Sequence, residues 1–196
     1  MKRIVLAAFL GGLTLFVWMY VAHDLLGLGE MGVGEIPNEA VALTAMRGAI
    51  PEAGFYIFPG FGLGPKPTSA QRNAAMPEYL KKYEQSPHGV LVYHPPSGPF
   101  HFGAALGREF GLNVLQALLA AWLVWRAASG RNYSARVGVV TVAGVLAAIS
   151  TNVEDWIWYD FPGNYIAGYM TTQIVGFVRA GFVIAAFVKS ETVARS

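Results

Sequence analysis

The chain has 196 residues, of which 54% are hydrophobic and 13% charged; its net charge is +2 and it has no cysteine. A charge fraction about half the ~25% usual in globular chains argues against an ordinary soluble domain. The small net charge, with no Lys/Arg run between aromatic residues, excludes a nucleic-acid partner. The lack of cysteine excludes disulfides, thiolate metal sites and cysteine nucleophiles.

The first element in chain order is an apolar stretch over residues 4–26, preceded by Lys2 and Arg3. A charged start followed by an apolar run resembles a signal peptide. The run continues through Phe16, Val17, Trp18, Met19 and Tyr20, beyond the roughly 7–15 apolar residues of a signal sequence. Tyr20-Val21-Ala22 before His23 is also a poor cleavage site, so the stretch is read as a retained span.

Residues 27–101 follow as a small ordered α+β unit. Pro37-Asn38-Glu39 opens an amphipathic helix in which Val41, Ala45 and Met46 share a face and which ends near Gly48. Gly54-Phe55-Tyr56-Ile57-Phe58-Pro59 is a strand between breakers. The glycines and prolines of 60–69 predict irregular chain. Ser69 is expected to cap a helical piece and Pro77 to restart a turn through Gln85. Gly89-Val90-Leu91-Val92-Tyr93 is a second strand. Two strands with one or two helices are marginal alone in water, so this unit is expected to rest on the membrane helices or on a partner.

Three more apolar stretches complete the chain, over residues 102–125, 137–158 and 165–188, with a loop at 126–136. Each of the four is close to the ~20 residues that cross ~30 Å of hydrocarbon, and the mean hydropathy of the whole chain is +0.42. The predicted fold class is a membrane all-α bundle of four transmembrane helices, with a small extracytoplasmic α+β insertion between helices 1 and 2.

Charge orients the bundle. Lys2, Arg3, Arg126, Arg131, Arg136, Lys189 and Arg195 share one side with a single acid, Glu191. Glu154, Asp155 and Asp160 lie between spans three and four with no basic residue. Lys and Arg accumulate in cytoplasmic loops, which puts both termini in the cytoplasm and residues 27–101 outside. Trp18, Trp122, Trp125, Trp156 and Trp158 all fall near span ends, where an apolar ring with a polar edge suits the headgroup layer. They are read as interface anchors.

Polar groups inside the spans are the costly features. Glu109, Asn113 and Gln116 make a stripe along span two, while Thr172, Gly176, Arg179 and Ala180 share roughly one face of span four. An arginine at mid-span costs at least ~2.5–3.5 kcal/mol and should face the bundle. Depth alone matches Arg179 to the Asn113/Gln116 level, with Glu109 as its ionic partner nearer the outside. Such a cluster fixes helix register; a proton path or substrate site is the alternative. His23, His88, His94 and His101 all fall on the outer side. A buried bis-histidine haem is therefore disfavoured, and a peripheral metal or tetrapyrrole through His23 and His101 is the weaker option. Asp24 and Tyr93 are the neighbours expected to orient a ring nitrogen. Glu154, Asp155 and Asp160 read as a solvated interfacial turn rather than a cation site. No cofactor is predicted.

One further pattern runs over most of the chain. Ile36-Pro37-Asn38-Glu39, Gly54-Phe55-Tyr56-Ile57-Phe58-Pro59-Gly60, Pro87-His88-Gly89-Val90-Leu91-Val92-Tyr93-His94-Pro95, Gln173-Ile174-Val175-Gly176 and Ala180-Gly181 together resemble a group of small uncharacterised bacterial four-span membrane proteins. The resemblance implies a multi-pass protein of the bacterial inner membrane and carries no reaction. With no catalytic pattern in view, the expected role is a non-enzymatic accessory or scaffolding subunit. Its partners would be the lipid bilayer and other integral membrane proteins, in a respiratory or photosynthetic complex. The alternatives are a small transporter using Arg179 and Glu109, or an outer-face metal, tetrapyrrole or lipid binder.

Overall fold

The computed structural model describes residues 2–189; Glu191 and Arg195 of the charge count lie outside the described residues. In chain order the elements are α1 (Lys2–Tyr20), a π-helical turn Val21–Leu25, a 3₁₀ turn Leu28–Glu30, α2 (Glu39–Ala49), β1 (Gly54–Phe58), α3 (Ser69–Gln85), β2 (Gly89–Tyr93), α4 (Phe102–Ala128), α5 (Tyr133–Tyr159) and α6 (Gly163–Phe187). Two compact units result. One is the chain up to Gly34 together with everything from Phe100 onward, and the other is Glu35–Pro99.

The first unit holds four helices long and apolar enough to cross a membrane, α1 with its π turn, α4, α5 and α6. In it α1 packs against both α4 and α6, and α5 lies mainly along α6. Its interior is built from small residues, with Ala7, Ala117, Ala120, Ala121, Ala180 and Ala185 buried around Leu15, Val124, Val140 and Ile184. Lipid is as apolar as leucine, so helices in a membrane gain by close packing rather than by hiding apolar area. Leu112, Leu115 and Leu119 of α4 accordingly face outward. Glycine sets the closest approach: a Cβ on Gly12 would lie 2.6 Å from the Val114 Cα of α4, and one on Gly144 would run into the Phe177 ring of α6.

The helices run past the apolar stretches that announce them. The loop expected over 126–136 shrinks to four residues, 129–132, because α4 continues to Ala128 and α5 starts at Tyr133. There the Asn132 side chain caps α5 by accepting from the Ala135 N–H at 2.9 Å. Hydropathy marks the hydrocarbon crossing, whereas a helix ends where its backbone finds a cap. Residues 27–34 likewise belong with the helices and not with the insertion. Gly27 breaks the π turn in a left-handed conformation at φ 64°, and the following 3₁₀ turn lies so close to Gly168 of α6 that a Cβ there would meet the Leu28 carbonyl.

In the second unit β1 and β2 pair antiparallel, with Gly54 opposite Tyr93 and Phe58 opposite Gly89. Helix α2 follows Asn38 as expected. The α3 region departs from expectation in two ways. Its cap is Thr68 rather than Ser69, through a capping box in which the Gln71 N–H donates to Thr68 Oγ1 at 3.2 Å and the Thr68 N–H donates to Gln71 Oε1 at 2.8 Å. Pro77 sits inside one continuous helix instead of restarting a turn. Rings order this unit: Phe61 stacks on Tyr79 at 4.0 Å and Tyr83 on His88 at 4.1 Å. Neither α2 nor α3 has a buried residue, which leaves the unit with a thin core.

Candidate functional site

Two openings in the helical unit bring polar and charged side chains together, one on each side of α1. The first is a groove between α1 and α6 lined by Leu13, Thr14, Val17, Trp18, Val21 and Arg179. Trp18 is 5% exposed, and its indole Nε1–H donates to the Thr172 carbonyl at 2.8 Å. Gly176 makes room for it, since a Cβ there would lie 3.0 Å from the indole Cδ1. Thr172 is 1% exposed and donates its own hydroxyl to the Gly168 carbonyl at 2.9 Å. Trp18 is thus a packing residue between helices and not the interface anchor its position suggested. Trp122 and Trp125 are exposed in the last two turns of α4, and Trp156 and Trp158 in the last turn of α5.

Arg179 lies at the rim of this groove, exposed, with its guanidinium carbon 4.1 Å from the centre of the Trp18 ring. Helical side chains lean toward the N-terminus of their helix. Here that lean carries the charge from residue 179 back to the level of Gly176, which also touches Trp18. At 1.5 Å per residue, Gly176 is about 20 Å from the first residue of α6 and about 17 Å from the last. The guanidinium therefore sits near the middle of the helix, leaning away from the nearer end. Among the described residues it has an aromatic face for company and no carboxylate.

This corrects the expected cluster. Arg179 does not reach Glu109, Asn113 or Gln116. Asn113 is buried at 6% exposure with its Nδ2 unpartnered, while Glu109 and Gln116 are half-buried on α4. Matching depth could not reveal that Arg179 and Glu109 open on different sides of α1. Of the face expected on α6, Thr172, Gly176 and Ala180 turn inward while Arg179 turns out.

The second place is a cleft of about 450 Å³ between α1 and α4, lined by Phe16, Met19, Tyr20, His23, Asp24, Phe102, Leu106 and Glu109. Phe110 braces its inner end, edge-on to Phe9 and Phe16 at 5.9 and 5.6 Å. The π turn carries His23 and Asp24, and π turns inside helices recur at functional sites. His23 packs edge-on to Tyr169 at 5.7 Å and leaves its Nε2 buried without a partner, so Asp24 does not orient that nitrogen. His101 stands exposed at the start of α4, His94 is exposed, and His88 stacks on Tyr83. Among the described residues no three His, Asp or Glu side chains are placed to hold a metal ion.

Two polar contacts had gone unremarked in the sequence. Asn152 of α5 donates to Gln173 Oε1 of α6 at 2.9 Å, joined there by the Thr151 hydroxyl at 3.2 Å. At the other end of this helix pair Arg136, only 8% exposed, donates through Nε to the Ala185 carbonyl at 3.1 Å and through a terminal nitrogen to the Arg131 carbonyl. Tyr133 adds a bond from its hydroxyl to the Phe182 carbonyl at 2.8 Å. The Arg136 bond reaches the last turn of α6, where the final carbonyls have no partner within the helix. An Asn in an apolar run and a Tyr/Arg pair three apart at a helix start were the available signals.

Comparison with protein-family models, with curated proteins and with solved structures finds no match.

Proposed function

We propose that this chain is a non-enzymatic membrane subunit that docks through its α1/α6 face onto another integral membrane protein, and that Arg179 forms the electrostatic centre of the contact. One observation carries this reading: a permanently charged guanidinium lies exposed near the middle of a membrane-length helix, with no carboxylate beside it among the described residues. An arginine at the bilayer centre costs at least ~2.5–3.5 kcal/mol. The Trp18 face returns about 0.5–2 kcal/mol of that, which leaves a deficit. Lipid phosphates lie some 15 Å from the midplane of a ~30 Å hydrocarbon layer, beyond the reach of a side chain held toward the centre. A second copy is no better a counterion, because no Asp or Glu in these spans lies as deep as Arg179. The partner is a different chain, with an Asp or Glu in the middle of one of its own spans.

The groove also has the shape for it. Leu13 and Val17 are exposed along its rim, which leaves an apolar border around the charge. The small, weakly cored unit of residues 35–99 suits a protein that works in an assembly. The orientation read from charge, with both termini in the cytoplasm, belongs to the same proposal. A bacterial inner membrane and an energy-transducing complex are its expected setting.

The test is extraction into polymer-bounded native nanodiscs and identification of co-purifying chains. Wild-type protein should bring down a defined membrane partner. Arg179→Met should lose it while remaining folded, and Arg179→Lys should retain part of it. A lone, monodisperse chain in native nanodiscs overturns the proposal.

A further inference from the structure

The cleft between α1 and α4 lies on the side of α1 away from Arg179 and needs a separate account. We infer that it is a binding site for an amphipathic organic cation, an ammonium-type head on an apolar body. Its volume of about 450 Å³ falls in the range of small-molecule sites, roughly 300–1,000 Å³. Its lining divides by chemistry: Phe16, Met19, Phe102 and Leu106 form an apolar wall, while Asp24 and Glu109 bring two carboxylates and Tyr20 and His23 add polar edges. No Lys or Arg contributes to it, so an anionic ligand would meet two carboxylates with no Lys or Arg to offset them.

Glu109 is the residue that asks for a ligand. It is half-buried, seven residues into α4 and thus about 10 Å from its start. Among the described residues it has no hydrogen-bond or ion-pair partner, although its neighbour Arg108 is exposed on another side of the helix. A carboxylate among phenylalanines and leucine at that depth is stabilised by a cation brought to it. Phe16, Tyr20 and Phe102 add aromatic rings to the lining, and ring faces attract the same sign of charge. The acids and His23 do not converge on a point where a metal ion could sit. A bulky or delocalised cation fits the separation between them, and its apolar part fits the wall. The π turn helps build the site, since it sets Asp24 on the rim with His23 beneath.

Tetraphenylphosphonium and tetraphenylborate, matched in size and opposite in charge, provide the test. The full chain is placed in phosphatidylcholine nanodiscs and binding is measured by equilibrium dialysis against empty nanodiscs. Tetraphenylphosphonium should bind saturably at one site per chain, and tetraphenylborate should show only the partitioning of empty nanodiscs. Glu109→Gln and Asp24→Asn should each weaken cation binding by about tenfold or more, as expected for the loss of one of two charges in a half-desolvated site. Glu154→Gln, outside the cleft, should leave it unchanged. On the wild-type chain decylammonium should displace the probe and decanoate should not, a measurement that does not depend on a variant folding. Three results overturn the inference: no saturable binding above empty nanodiscs, equal saturable binding of the anion, or unchanged affinity in both cleft variants.

Discussion

Gly12→Ala places the heaviest demand on the helix packing described above. The added Cβ would lie 2.6 Å from the Val114 Cα and 2.8 Å from the Val114 nitrogen, both backbone atoms that cannot rotate away. Carbon atoms rest at about 3.5–4.0 Å, so α1 and α4 must separate by roughly 1 Å at this crossing. A Cβ on the neighbouring Gly11 would likewise lie 3.0 to 3.2 Å from Ala117 and Ile184, so the displacement passes into the centre of the bundle. Overpacking of this kind costs about 1–3 kcal/mol, and the upper half of that range is expected because backbone meets backbone. The assay is equilibrium unfolding in dodecylmaltoside/SDS mixed micelles, followed by tryptophan fluorescence. Gly111→Ala is the matched control, one methyl on a glycine of α4 with nothing within 4 Å. Its effect should stay within ~0.5 kcal/mol. If Gly12→Ala unfolds at the same SDS fraction as Gly111→Ala, the α1/α4 crossing is wrong and the cleft beside it loses its walls.

The remaining predictions follow from single contacts. Trp18→Phe should destabilise by about 1–2 kcal/mol in the same assay, through loss of the bond to the Thr172 carbonyl and a weaker hold on Arg179; no change would mean that the indole does not bridge α1 and α6. A double-mutant cycle of Asn152→Leu and Gln173→Leu should give a coupling near the ~0.6 kcal/mol average for such pairs in membranes, with ~1.7 as a ceiling; zero coupling removes the α5/α6 clasp. Arg136→Met should cost about 1–3 kcal/mol by leaving helix-end carbonyls buried without a donor, and Tyr133→Phe about 1 kcal/mol; a neutral Arg136→Met would return that residue to the role of a solvated loop charge. The cysteine-free chain also permits a topology test. In intact cells an impermeant maleimide should label Ser97→Cys and should reach Ser129→Cys only after permeabilisation; the reverse pattern inverts the orientation.

The sequence made the architecture legible because a bilayer-length apolar run has few other uses. It also placed the strands, which breakers bound on both sides. What stayed hidden was azimuth. Depth along a helix can be counted, but which neighbour a residue faces depends on how the helices are arranged around one another. That is why Glu109 and Arg179 looked paired when they open on different sides of α1, and why Trp18 looked like an anchor when it is buried between helices. Arg136 was hidden for another reason. A cation near a span end counts toward orientation whether it is solvated or capping a helix, and only the contact with the Ala185 carbonyl distinguishes the two. The π turn at Val21–Leu25 left no recognisable mark in the residues that form it.

The most direct test of the account is photo-cross-linking from Val17, which is exposed on the rim of the Arg179 groove, compared with Leu119, exposed on α4. A photoreactive residue at Val17 should capture one discrete membrane protein carrying an Asp or Glu in the middle of a span, and Arg179→Met should abolish the product. Leu119 should yield lipid adducts alone. Lipid adducts alone from Val17 as well would contradict the account.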